Sequence, residues 1–275
     1  MSDQALAPEL VRRYLAALRV TQQEPALGAL RELVAAHLTR VPFENISKLY
    51  NRKRHGLTGL PSIHLYLEGI ERYHFGGTCY SNNFYFYSLL VSLGYDAKLC
   101  AADMSVPDGH AVCMATVDGH EYLMDAGYAA PFLSPMPRDL ATDYVVELGR
   151  DRYVLSPQDA NGHSRLEMYR DGQRKHGYVA KPAPRRIEEF GRVIAGSFKP
   201  NATFLNSLLL TRFYSNRGVM IHNWTLVESQ GSESIVRSLA SYEQLVAAVE
   251  KHFDMPRAMV AEVVNELGDL QDSWT

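Results

Sequence analysis

Apolar residues recur at helical spacing through roughly the first ninety positions, with Leu10, Val11, Tyr14, Leu15 and Leu18 on one face and Leu27, Leu30, Val34 and Leu38 repeating the interval. Pro42 ends the second of these helices. The stretch Arg40-Val41-Pro42-Phe43-Glu44-Asn45-Ile46 is predicted to be a loop that packs inward, because it sets apolar residues beside a carboxylate and an amide. A third helix is predicted to start at or just after Cys79, with Tyr80, Asn83, Phe84, Tyr87, Leu90 and Val91 on one stripe and Gly94 as its stop. At Tyr95 the period becomes two, Tyr95, Ala97, Leu99 and Ala101 alternating against Asp96, Lys98, Cys100 and Ala102. Short strands follow to about residue 195, separated by turn signals at Pro107-Asp108-Gly109, Asp118-Gly119, Asn161-Gly162 and Asp171-Gly172, and a small barrel or strongly curved sheet fits them. The last segment holds a strand pair around Ser215-Asn216-Arg217-Gly218 and a helix opened by a capping box from Ser241 to Gln244, with Tyr242, Leu245, Val246 and Val249 inward. The pattern is α+β and multi-domain: a helical part over 1–94, a strand-rich part over 95–195 and an α/β part over 196–275.

Composition narrows the function classes. A chain of 275 residues, 46% hydrophobic and 21% charged, can bury a substantial core and a closed active site. Its net charge of -3 gives no overall positive field, so neither nucleic acid nor an anionic membrane is the expected partner. Met1 to Leu15 mixes charges among its apolar positions, and no apolar run approaches the roughly 20 residues of a membrane span, so no export or anchoring signal is expected. The three cysteines, Cys79, Cys100 and Cys113, form an odd set without a CxxC pair, which argues against a disulfide framework and a zinc-thiolate site and points to the cytoplasm. Ten scattered histidines without an HExxH motif give no metal site.

Cys79 is the candidate nucleophile. It follows Gly76-Gly77 at the front of a predicted helix, where unpaired amide N–H groups and the helix dipole favour a thiolate. The two glycines are expected to turn the chain sharply enough to leave the sulfur open to a substrate carbonyl. A thiolate of this kind needs a base held in one tautomer. His110 opens the strand running to Val117, and after Asp118-Gly119 the return strand runs from His120 to Asp125. With a two-residue turn, Val117 faces His120, and His110 and Asp125 share a face at about 7–8 Å between backbones, close enough for a ring-to-carboxylate hydrogen bond. A three-residue turn would send Asp125 to the opposite face, and on spacing alone His110 serves equally well as an ordinary strand-end residue. Cys113, in mid-strand, is expected in the core.

Taken together, Arg40-Val41-Pro42-Phe43-Glu44-Asn45, Gly76-Gly77-Thr78-Cys79-Tyr80-Ser81-Asn82-Asn83, Leu123-Met124-Asp125-Ala126-Gly127-Tyr128, Pro131-Phe132-Leu133 and Lys199-Pro200-Asn201-Ala202-Thr203-Phe204 resemble the motifs of the arylamine N-acetyltransferases, in order and across most of the chain. The resemblance implies a helical bundle, a β-barrel and an α/β lid around a cysteine-protease-like catalytic core. It also implies ping-pong chemistry: acetyl-CoA acylates Cys79, coenzyme A leaves, and an arylamine, hydrazine or arylhydroxylamine takes the acetyl group. His110 would shuttle the proton and Asp125 would fix His110. Phe43, Gly109, Gly127, Tyr128 and Phe204 would line the acceptor and pantetheine space. Lys199, Arg212 and Arg217 are candidates for the CoA phosphates.

The sequence departs from the family where Phe75 and Ser81 replace an arginine and a glutamate, and where Ala129-Ala130 replace a glycine and an acidic residue. If the lost charges normally pair, losing both spares the roughly 3–5 kcal/mol that one unmatched buried charge would cost. The same Cys-His-Asp set also suits an amide synthase fed by a carrier protein, or a thiol hydrolase with water as acceptor. A non-catalytic CoA-binding homologue is the remaining alternative.

Overall fold

The computed structural model describes residues 5–265 together with 267 and 270. Helices α1 (Pro8–Leu18) and α2 (Leu27–Arg40) bury the expected faces, including Leu10, Tyr14 and Leu18 on the first and Leu30, Val34 and Leu38 on the second. The strand β1 (Phe43–Glu44) follows Pro42, and two helices absent from the sequence reading come next, α3 (Ile46–His55) and α4 (Ile63–Tyr73). The first of them buries only Ile46, Ser47 and Asn51, so no apolar stripe marks it in the sequence. Helix α5 (Cys79–Ser92) begins at Cys79 and stops before Gly94, whose φ of +91° suits glycine. The single stripe predicted for α5 is corrected. Tyr85, Phe86 and Leu89 are buried as well as Tyr80, Tyr87 and Leu90, because α1 covers one side of the helix and strands β2 (Asp96–Asp103) and β3 (His110–Val117) cover another.

Those strands belong to an antiparallel sheet completed by β4 (His120–Met124), β5 (Met136–Pro137), β6 (Tyr144–Leu148), β7 (Asp151–Leu155), β8 (Ser164–Arg170) and β9 (Gln173–Pro184), in the spatial order β5-β4-β3-β2-β9-β8-β7-β6. Register shifts where β9 meets β2, between Cys100 and Ala102, and where β8 meets β9, between Met168 and Tyr169, bend the long β9 and curl the sheet into a nearly closed, barrel-like form. Alternate residues of β2 and β3 serve two cores. Leu99, Ala101, Ala111 and Cys113 pack with the helices, while Cys100, Ala102, Val112 and Met114 pack inside the curl with Tyr128, Phe132 and Tyr178. Both faces of these strands are therefore buried, which corrects the apolar-against-polar alternation expected from Tyr95.

After a 3-10 turn at Ile187–Phe190, the short helices α6 (Gly191–Gly196) and α7 (Thr203–Asn206) lead to β10 (Leu209–Tyr214) and β11 (Arg217–His222), the expected pair joined at Ser215-Asn216. Strands β12 (Thr225–Gln230) and β13 (Glu233–Ser238) extend the sheet, and α8 (Tyr242–Phe253) and α9 (Arg257–Val264) pack on it. The Ser241 hydroxyl accepts from the Gln244 N–H at 3.3 Å, as the capping signal predicts. No described helix is long and apolar enough to cross a membrane.

The predicted inward loop at residues 40–46 is more ordered than expected. Phe43 and Glu44 form an edge strand of the C-terminal sheet, opposite Thr211 and Leu210, with Pro42 just outside the ladder where its missing N–H costs nothing. Asn45 locks this junction: its amide donates to the carbonyls of Phe204 (3.0 Å) and Ser207 (2.7 Å) and its oxygen accepts from the Leu209 N–H (2.9 Å), the last two bonds buried and the first partly so. Asn45→Ala leaves these buried backbone groups unpaired and is expected to lower unfolding free energy by roughly 3 kcal/mol in urea titrations. A change within about 0.5 kcal/mol, the ordinary surface range, would show that water replaces the amide at no cost.

Candidate active site

Cys79 is the first residue of α5, and Thr78 before it gives no side-chain cap, so the N–H groups of the first turn remain available to a ligand. Its side chain is largely covered, with 9% of the residue exposed. Gly76 and Gly77 act differently from the sequence expectation, since neither has positive φ. They permit close approach instead. A Cβ on Gly76 would lie 1.9 Å from the Pro42 carbonyl oxygen, and one on Gly77 would lie 2.2 Å from the Ser81 hydroxyl. The buried Glu44 carboxylate completes this brace, accepting from the Gly76 N–H (3.0 Å) and the Ser47 N–H (2.8 Å). Burial pushes the Glu44 carboxyl up, against those hydrogen bonds.

The hairpin carrying His110 closes with the two-residue turn. Val117 pairs with His120, Asp118 and Gly119 both have positive φ (52° and 79°), and the ladder runs back to Cys113 opposite Met124. His110 Nε2 therefore meets Asp125 Oδ2 at 2.7 Å, with both residues buried. The other carboxylate oxygen accepts from Asn83 Nδ2 (2.8 Å) and from the Gly127 N–H (3.0 Å). Burial opposes a charged His110, but the charge and hydrogen bond of Asp125, helped by a hydrogen bond with Cys79, outweigh it and raise the imidazole to about 10. Imidazole and carboxylate thus form a buried hydrogen-bonded pair, and Cys79 acts on the same ring. The Tyr178 ring lies 4.9 Å from that of His110, and its buried hydroxyl faces Asp125 without a well-aligned hydrogen bond.

Gly127 is the hinge of this closeness. A Cβ there would stand 2.5 Å from Cys79 Cα and 2.6 Å from Asn83 Nδ2, so only glycine lets the loop after Asp125 lie against the start of α5. Asn83, four residues after Cys79, also donates to the Ala111 carbonyl (2.6 Å) and accepts from the Ala126 N–H (2.8 Å). The sequence reading placed Asn83 on an apolar stripe and missed this task; an amide one helical turn behind a nucleophile was the available signal. Cys113 and Cys100 are fully buried free thiols.

The residues expected to bind substrate divide. Tyr128 is buried, its ring 5.7 Å from His110 and its hydroxyl bonded to His176. Phe43 and Phe204 meet edge to face at 5.9 Å. Gly109 precedes His110 and packs against Val106. None of these, nor Gly127, lines the cavity of about 40 Å³ beside the start of α5, whose wall includes Lys48, Phe75, Thr78, Ser81, Ser197 and Phe198. Arg212 is buried, tied to the carbonyls of His252 and Phe253 and to Asp254, while Lys199 and Arg217 are exposed.

A profile of the family described as N-acetyltransferase matches residues 26–259. The arylamine N-acetyltransferase of Mycolicibacterium smegmatis is 26% identical over 195 residues, which is 67% of this chain and 69% of that protein. Among solved structures, the arylamine N-acetyltransferase of Nocardia farcinica superposes with a TM-score of 0.78 at 23% identity, covering 99% of this chain and 96% of that one. The Mycobacterium marinum arylamine N-acetyltransferase in complex with CoA gives 0.75 at 19%, covering 94% and 99%.

The electrostatics make a signed prediction. His110 lies above its ordinary 6.5, so its stabilising contribution is complete below pH 6.5 and is lost as pH rises towards 10. In Asp125→Asn the opposing charge is gone and burial prevails, so the ring is expected to titrate below 6.5 when followed by NMR. A His110 signal that still titrates near 10 in this variant would contradict the assignment of cause.

Proposed function

The chain belongs to the arylamine N-acetyltransferase family and is an acyltransferase, and from that premise we propose that it carries an acetyl group from acetyl-CoA through a Cys79 thioester to an arylamine, hydrazine or arylhydroxylamine. The observation that carries this reading is the 2.7 Å hydrogen bond between His110 and a fully buried Asp125, with Cys79 acting on the same imidazole. The Mycobacterium marinum relative was solved in complex with CoA, which supports CoA as the leaving group here.

With His110 protonated, Cys79 stands as the thiolate of an ion pair and attacks the thioester carbonyl. Backbone N–H groups at the start of α5, that of Cys79 among them, meet the oxyanion. His110 gives its proton to the departing sulfur of CoA, then takes one from the incoming amine as the nitrogen displaces Cys79. Asp125, anchored by Asn83 and Gly127, keeps the ring in place through both steps and stabilises its charge. The three free thiols suit a reducing compartment, and the cytoplasm is the proposed location.

Intact-mass analysis after exposure to acetyl-CoA should show one acetyl group on the wild type and none on Cys79→Ala, with an arylamine discharging the adduct as the acetylamide. His110→Ala is expected to slow acylation by roughly 10²- to 10⁴-fold. Amide formation by Cys79→Ala at the wild-type rate would refute the mechanism; discharge that is as fast in water alone would make the protein a hydrolase.

A further inference from the structure

Tyr80 follows Cys79 on α5, and its hydroxyl donates to the carbonyl of Asp108 at 2.6 Å. Asp108 stands two residues before His110. One hydrogen bond therefore runs from the neighbour of the proposed nucleophile to the loop that delivers the proposed base. Burial pushes the Tyr80 phenol well up, so the hydroxyl keeps its proton and remains a donor.

The acceptor of that bond is itself held. Asp108 has a φ of +54°, a left-handed conformation that aspartate tolerates better than most residues. Its N–H donates to Asp103 Oδ1 (2.8 Å), and its carboxylate accepts from Lys181 Nζ (3.0 Å) and Arg185 Nη1 (3.3 Å). Lys181 also meets Asp103 at 2.7 Å. The Arg185 guanidinium lies 5.3 Å over the Phe190 ring, whose centre stands 5.5 Å from that of Tyr80. The contacts thus close a circuit from Tyr80 through Asp108, Arg185 and Phe190 back to Tyr80. An isolated ion pair at a half-exposed position contributes little, but this one is tied at both ends to buried aromatic rings. Its place in the chain matters as much as its strength. Gly109 has no side chain with which to anchor the loop, and its N–H stays within the loop, bonded to the Val106 carbonyl at 3.1 Å. Asp108 is where this loop is tied to α5.

We propose that Tyr80 is a positioning residue for the acyl transfer: its hydroxyl ties the loop before His110 to the residue after Cys79 and so sets the approach of imidazole to sulfur, while Lys181 and Arg185 hold Asp108 in place to receive it. This rests on the acyl-transfer reading above, in which Cys79 is the nucleophile and His110 its base. Tyr80 transfers no proton and makes no bond to the acyl group. Its effect on the rate passes entirely through His110.

The test is a cycle of Tyr80→Phe with His110→Ala. Two rates are followed by intact mass: alkylation of Cys79 by iodoacetamide, which needs no CoA site, and acylation by acetyl-CoA, with Cys79→Ala as the blank and melting temperature as the check on folding. Alone, Tyr80→Phe is expected to slow both rates about tenfold, the scale of one buried hydrogen bond. In the His110→Ala background it is expected to change neither by more than about twofold, because no imidazole is left to position. Asp108→Asn keeps a side chain that tolerates positive φ and should slow both rates less; added to Tyr80→Phe, it should cost less than the product of the two single effects. A tenfold loss that persists without His110 would overturn the proposal, as would rates in Tyr80→Phe at or above those of the wild type. A loss confined to acylation would mean that Tyr80 acts on CoA, and the proposal fails there too. If Tyr80→Phe does not fold, Asp108→Asn in the same cycle with His110→Ala decides on the same terms. Wild-type protein that acetyl-CoA never acylates would refute the transferase reading, while the alkylation arm would still decide the role of Tyr80. If His110→Ala leaves both rates unchanged, the pairing of Cys79 with His110 is wrong and Tyr80 has no base to position.

Discussion

Two successive amides, Asn82 and Asn83, hold the polar centre of this protein together. Both are fully buried one turn into α5. Asn82 Nδ2 reaches the carbonyls of Pro42 (3.3 Å), Gly77 (3.2 Å) and Ala126 (3.2 Å), and its oxygen accepts from the Tyr66 hydroxyl (3.0 Å). Asn83 binds the Asp125 carboxylate and the backbone on either side of the hairpin. A carboxylate buried without such donors would be neutralised or destabilising. With them both oxygens of Asp125 have partners, and its carboxylate raises the buried His110 beside it. The geometry around His110 and Asp125 thus depends on an amide pair, and a polar network so far from water must be satisfied throughout to be worth keeping.

Much of this site is written in short-range patterns. The dipeptide Asp118-Gly119 sets a turn whose register decides that His110 and Asp125 face each other, and a helix starting at Cys79 follows from the residues around it. Those features depend on neighbours in sequence. What escaped depends on distant ones. Helix α3 is too polar to show a stripe because its buried side is three residues wide. Phe43 and Glu44 become a strand only because β10, more than 160 residues later, offers an edge. Gly76 and Gly77 are spaced for contact with Pro42 and Ser81, a requirement that no local conformational preference encodes. The same holds for Lys48, whose partners Ser197 and Phe198 arrive about 150 residues later in the chain.

The departures from the family motif also become intelligible. Phe75 is buried against Tyr50 and Tyr73 at 5.5 and 5.3 Å between ring centres, and Ser81 turns its hydroxyl to the Thr78 carbonyl at 3.1 Å. Both line the cavity whose wall also includes Lys48 and Asn51. Of the alanine pair, Ala130 is buried and the Ala129 carbonyl accepts from the Tyr153 hydroxyl at 3.3 Å, so these residues seal the curled sheet behind Tyr128.

The edge strand β1 and the amide of Asn45 carry a consequence for how the molecule comes apart. Three regions can be drawn along the chain, yet Ile46 and Phe75 lie in the same apolar cluster as α8 and α9, and the second residue of β1 pairs with β10. Severing the polypeptide near residue 195 would strip partners from the first fragment as surely as from the second. Physical divisibility and linear order are therefore different partitions here, and melting is best regarded as one event in which the helix that begins at Cys79 loses its footing together with the sheet at the opposite end of the sequence.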